Sequence, residues 1–268
     1  MKEQALSIVK SASNPQKAKN ELREFLQHLI LRKMFELNLN QALVFHGETA
    51  LRIIHGLARF SEDLDFHTRG TNYEINFESM ITQIQRDLGR NGYNVSSKVK
   101  TLRTVNSAFI RFSRLLYESG LSPLQDENLS IKIEIDTNPT SGFDIDRSMV
   151  NQYFPISIIH HDQASFIAGK CHAILQRQYS KGRDFYDLMF YLSRWKTIEP
   201  NFVYLNNCLV QSGYGGESFS SNNWRKLLLN RLRSINWQLV KEDVSPFIGS
   251  NSDLQLLALD TFRQLLSK

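Results

Sequence analysis

Asp63 and Asp65 sit two residues apart in Arg59-Phe60-Ser61-Glu62-Asp63-Leu64-Asp65-Phe66. Alternate residues of a β-strand share a face, so this spacing sends both carboxylates one way while Leu64 and Phe66 enter a core. Paired carboxylates repel unless a positive charge lies between them, and a hard divalent cation such as magnesium is the usual one. The plainer reading makes Ser61 a helix cap and the acids the dressing of a first helical turn. Alone, so short a motif decides little between the two.

The elements that must position these acids can be read from the flanking pattern. Ala42 to Phe45 reads as a short buried strand, Gly47 as a turn, and Thr49 to His55 as a helix that starts where the glycine ends. Free amides at such a helix start welcome phosphate oxygens. Ile131 to Asp136 alternates cleanly: Ile131, Ile133 and Ile135 face a core, and Lys132, Glu134 and Asp136 face the other way. That charged face is either the wet side of a strand or the source of a further carboxylate, and the spacing leaves Glu134 and Asp136 equivalent. Asn138-Pro139 ends the strand and opens a loop.

From Asp162 onward the pattern is helical. Phe166, Ile167, Cys171, Ile174 and Leu175 form the apolar side of one helix, with Lys170 and Arg177 near a common face. The next helix begins near Gly182. On it Asp184 and Asp187 are three apart and Arg183 and Asp187 four apart, so both pairs can meet. Exposed ion pairing is the common fate of such charges.

The remaining chain frames these segments. Asn14-Pro15 resembles a capped helix start, and Tyr73 to Leu88 has helical spacing closed by Gly89 and Gly92. Tyr93 to Lys100 and Val105 to Tyr117 read as strands, and Asn201 to Val210, Asn222 to Asn236 and Ser252 to Leu266 as helices, with a glycine and serine loop from Ser212 to Ser221. Arg225, Lys226, Arg231 and Arg233, near Trp224 and Trp237, make either a face for RNA or a solvated helix. The chain of 268 residues has room for one large or two modest domains, and its net charge of +5 suits an anionic partner without demanding one. Cys171 and Cys208 lack metal-ligand spacing and read as buried thiols. No apolar run is long enough to cross a bilayer, so no membrane partner and a cytoplasmic location are expected.

Taken together, Phe45 to Arg52, Arg59 to Phe66, Lys132 to Pro139, Ala168-Gly169-Lys170 and Lys181 to Leu188 resemble the AbiEii/AbiGii family of nucleotidyltransferase toxins, whose relatives include the MenT toxins. The resemblance is scattered over about half the chain, in family order. It implies an α+β fold: a polymerase-beta-like nucleotidyltransferase core with a mixed sheet flanked by helices over 1–160, then a helical C-terminal domain over 161–268. It further implies that Gly47 and Thr49 hold nucleotide phosphates, with Ser61 at a motif serine, and that Asp63 and Asp65 bind magnesium, two ions in all, with Glu134 or Asp136 as third carboxylate. Lys170 is implied to pair with the triphosphate, and Asp184, supported by Asp187, to complete an Arg-Asp-x-x-Asp signature. Relatives usually carry two glycines before the threonine, where this chain has Gly47-Glu48, and a glutamate beside a phosphate site repels nucleotide unless it turns outward.

The implied function is a toxin that moves a nucleoside monophosphate from a nucleoside triphosphate to an acceptor hydroxyl, the tRNA 3′ end, blocking translation, with a cognate antitoxin encoded nearby. Transfer to a protein or small-molecule acceptor, or a catalytically silent nucleotide- or RNA-binding module, are the alternatives.

Overall fold

The computed structural model describes residues 1–70, 75–102, 104–177, 181–248 and 251–267. Its contacts divide the chain into two compact units, one of residues 1–55, 60–139 and 147–160, the other of residues 56–59, 140–146 and 161–268.

The first unit opens with α1 (Lys2–Ser11) and α2 (Pro15–Glu36). The Asn14 side chain accepts from the Lys17 amide and proline follows at the first helical position, as the sequence leads one to expect. Next come β1 (Leu43–His46), α3 (Gly47–His55), β2 (Leu64–Thr68) and α4 (Phe77–Arg90). The expected start of α4 at Tyr73 lies outside the described residues. Then follow β3 (Val95–Thr101), β4 (Val105–Phe112), α5 (Leu115–Glu118), β5 (Leu129–Asp136), β6 (Ile145–Val150) and β7 (Ile156–His161). The strands form one mixed sheet in the order β3-β4-β5-β2-β1-β7-β6.

Its centre is where sequence periodicity speaks most clearly. Ile131, Ile133 and Ile135 of β5 are buried, as are Leu64 and Phe66 of β2, and Phe45 of β1 stacks on Phe66 with centroids 4.9 Å apart. α2 packs against β5, and α4 against β3 and β4. β2 runs parallel to β5 and antiparallel to β1, which in turn runs parallel to β7.

Several sequence expectations change here. The loop expected after Asn138-Pro139 contains β6 and β7. Ile156, Ile158, Ile159, His160 and His161 of β7 are all buried, so no alternation marks it, while β6 is an edge strand with mostly exposed side chains. β4 stops at Phe112 rather than Tyr117: Arg114 adopts the left-handed conformation, φ 61°, and α5 begins behind it.

The second unit contains α6 (Gln163–Gln176), α7 (Gly182–Arg194), α8 (Phe202–Gln211), α9 (Trp224–Leu232), α10 (Trp237–Val244), α11 (Asn251–Leu256) and α12 (Leu259–Leu266). Of the stretches expected as single helices, Ser252 to Leu266 is broken into α11 and α12, while Asn222 to Asn236 holds α9 alone and a further helix, α10, follows it. Asn236 caps α10 by accepting from the Gln238 and Leu239 amides, a local bond that competes with continuing α9. Gly182 opens α7 because a Cβ there would lie 2.0 Å from the Val240 carbonyl oxygen on α10. Cys171 and Cys208 are free and buried, and burial pushes the Cys171 thiol up to about 12. Among the described residues no helix is long and apolar enough to cross a membrane.

Candidate active site

The loop that leads into Asp63 and Asp65 is anchored residue by residue. The Arg52 guanidinium of α3 lies over the Phe60 ring, 3.9 Å from its centroid, and is itself paired with buried Glu24 of α2. Gln27 of α2 donates to the Ser61 carbonyl at 3.1 Å, and Arg23 reaches Glu62 at 3.3 Å. The fully buried Thr49 hydroxyl lies 2.8 Å from the Ser61 hydroxyl and donates to the Asp63 carbonyl oxygen. As placed, Thr49 and Ser61 therefore tie the start of α3 to the carboxylate loop, spending their polar atoms on the protein itself.

Register then brings the acids together. Asp65 of β2 is paired with Glu134 of β5, one strand over, and with His46 of β1 on its other side. Asp136 is paired instead with His67, and its carboxylate accepts from the Asn138 amide at 2.9 Å, closing the turn that ends β5. Lys132, which sequence reasoning placed on the charged face without assigning it a role, binds Glu134 at 2.8 Å. Burial pulls its ammonium down, but the Glu134 bond and the charges of Glu134, Asp63 and Asp65 raise it above the usual lysine value. Burial raises the Asp63 carboxyl; Lys132 pulls it back, and the charges of Glu62, Glu134 and Glu48 raise it further. Glu48 thus adds to the negative field at Asp63.

Gly47 has a structural reason that its motif did not reveal. Its φ is +75°, and a Cβ there would stand 2.6 Å from Asp65 Oδ2. The glycine makes room for the carboxylate.

This oxygen-rich group suits a hard cation chemically. Magnesium takes one or two protein carboxylates and completes its shell with water and substrate phosphates, so a ready-made cage is not required. Among the described residues no three His, Cys, Asp or Glu side chains are arranged as such a cage. Lys132 is the positive charge the carboxylates share.

The other predicted residues lie in the second unit. Lys170 of α6 donates to Asp184 at 2.9 Å and reaches Asp187 at 2.7 Å, both on α7. Arg177 also binds Asp184. Arg59 grips Asp187 with two bonds of 2.7 Å, a fork-to-fork pair in which both side chains are fully buried. The exposed ion pairing expected for Asp184 and Asp187 is replaced by a buried chain of alternating charge, Arg59, Asp187, Lys170 and Asp184, which ends on the exposed Arg177. Arg183 lies instead over the Phe247 ring, 4.6 Å from its centroid. Arg59 is the member that sequence reasoning missed. It precedes the acidic motif, but its partner is 128 residues away and no local spacing announces it.

The basic last third is largely engaged as well. Arg225 binds Glu199 at 3.0 Å and covers Trp224, and Arg231 donates to the Ile174 carbonyl at the end of α6.

Solved structures share this fold, two of them from Helicobacter pylori. The crystal structure of JHP933 from Helicobacter pylori aligns with a TM-score of 0.55 at 19% identity, covering 92% of this chain and 91% of that one. A second H. pylori structure, described as a candidate nucleotidyltransferase, aligns with a TM-score of 0.55 at 20% identity, covering 91% and 89%. No curated protein matches the chain. The family described as "Nucleotidyl transferase AbiEii toxin, Type IV TA system" matches residues 29–267, nearly the whole chain and every residue of both charged groups. The chain belongs to the AbiEii nucleotidyltransferase toxin family.

Proposed function

We propose that the protein transfers a nucleoside monophosphate from a nucleoside triphosphate to an acceptor hydroxyl at the tRNA 3′ end, and so blocks translation until an antitoxin restrains it. The observation that carries this reading is the pairing of Asp65 with Glu134 on adjacent parallel strands, with Asp63 two residues ahead and Gly47 leaving space for the Asp65 carboxylate. Asp63, Asp65 and Glu134 would hold the magnesium; register favours Glu134 over Asp136, whose carboxylate serves a turn. When bound, magnesium would make the acceptor hydroxyl easier to deprotonate and neutralise the leaving pyrophosphate.

The chain's own residues supply position. The bonds from Gln27, Arg23 and Thr49 hold residues 61–63 in one conformation, so Asp63 and Asp65 need little reorganisation when substrate arrives. Lys132 balances the carboxylates before a cation does. Lys170, held by Asp184 and Asp187, is the point charge assigned to the triphosphate.

The test is incubation with labelled nucleoside triphosphates, magnesium and total tRNA. Label should enter tRNA with the wild type and not with Asp63→Ala or Asp65→Ala. No transfer by the wild type, or equal transfer by the variants, sinks the reading. The charge of Glu48 beside Asp63 favours one rival, a silent binding module. Calorimetry showing RNA binding without magnesium-dependent turnover would select that rival.

A further inference from the structure

The sheet face that carries the carboxylates continues, in register, onto two strands that the proposed chemistry does not use. Across from Glu134 stands Ser107 of β4, and across from that Lys100 of β3. The next row holds Lys132, Phe109 and Lys98, and the one after it Ser130, Arg111 and Ser96. Cross-strand partners share a face, so Lys98, Lys100, Phe109 and Arg111 lie on the side of Asp65 and Glu134.

The opposite side of these strands is core: Ala108, Ile110 and Phe112 are buried, and α4 packs there. On the open side Lys98, Lys100 and Arg111 are exposed, and among the described residues they enter no ion pair. The open positions of β3 and β4 carry no acid: they are Ser96, Lys98, Lys100, Val105, Ser107, Phe109 and Arg111. Phe109 leaves 40% of its surface in water, in the middle of this basic field. From Lys100 to Asp65 the row crosses three strand spacings, about 14 Å.

We propose that this open face is a track for single-stranded RNA, with phosphates on Lys98, Lys100 and Arg111 and a base stacked on Phe109. Surfaces for single strands combine cations with an aromatic ring on which any base can stack. Protein interfaces, by contrast, deplete lysine. The direction of the track, toward Glu134 and Asp65, makes it the approach of the acceptor strand; that last step rests on the proposed transferase reading, whereas binding itself does not.

The experiment is fluorescence anisotropy of a labelled oligouridylate of about 12 nucleotides, within the range such surfaces cover, with the full chain and no nucleoside triphosphate. Phe109→Ala should weaken binding about tenfold. The triple variant Lys98→Gln, Lys100→Gln, Arg111→Gln should lower the salt slope of binding by about 2, three contacts at about 0.7 each. All four side chains are exposed, so thermal melting should stay as in the wild type; the triple variant should also keep Mn2+ binding, whereas Phe109, whose ring centroid lies 5.9 Å from Lys132 Nζ, is compared by melting alone. Wild-type chain that does not bind the oligonucleotide, or variants that bind it with unchanged affinity and salt slope, would overturn the proposal. So would a polyglutamate peptide that binds as tightly and ignores Phe109→Ala, since that outcome marks a site for an acidic protein. Failure of the catalytic reading looks different: RNA binds through this face, but no label is transferred.

Discussion

Replacing Gly47 by alanine separates two costs that glycine usually hides together. The first is backbone strain: at φ +75° a side chain costs about 1–2 kcal/mol. For a chain of this size that corresponds to a fall in melting temperature of roughly 2–8 °C. The second is the overlap of the new Cβ with Asp65, 2.6 Å from Oδ2 and 3.3 Å from both Cβ and Cγ. The helix start is bound through Thr49 to Ser61 and Asp63 and cannot easily give way, so the Asp65 carboxylate must move. A misplacement on the order of 1 Å in a catalytic group costs about 100-fold in rate. Gly56 supplies the control, with φ +72° and nothing within 4 Å of an added Cβ. Gly56→Ala should therefore lose similar stability and keep its activity. The assays are thermal melting, nucleotidyl transfer and Mn2+ titration on both variants. Gly47→Ala with wild-type transfer and Mn2+ affinity would refute the reasoning, as would equal loss of transfer in the two variants.

Arg59→Met takes from buried Asp187 its forked partner and leaves it only the bond to Lys170, so it should destabilise the chain by about 3–5 kcal/mol in urea unfolding, because removing one partner leaves buried charge incompletely compensated. Arg59→Lys, which cannot restore both bonds, should recover only part of the loss. Stability should also depend on pH below neutrality. Burial pushes His67 down to about 4 and holds His28 below the usual histidine value, so in both cases the unfolded chain takes up protons first. Their contribution is complete above pH ~6.5 and is lost as pH falls from there toward the folded values, for His67 by roughly 1 kcal/mol per pH unit. Urea midpoints for the wild type and His28→Gln at pH 7.5 and 5.5 measure this, and the variant should show the shallower dependence.

Much of this was legible in the sequence because it is local. The Asn14-Pro15 cap, the 3.6-residue spacing of α4 and α6 and the strict alternation of β5 depend on neighbours a few positions apart, and the structure has all of them. The Asp-x-Asp motif, the glycine turn and the Arg-Asp-x-x-Asp signature likewise sit within short windows, and together they marked the family. What stayed hidden involves partners far along the chain. Glu134 and Asp136 point the same way from one strand, so only the register against β2 puts Glu134 beside Asp65 and leaves Asp136 to the turn. β7 is buried on both faces and has no period to read. Arg59 and Asp187, 128 residues apart, become a buried pair only when the helices close around them. By itself, then, the sequence determined which residues carry charge and which elements present them, since propensity and periodicity act over a turn or two. Only the tertiary structure decided which charges meet, because strand register and burial depend on residues that no local window contains.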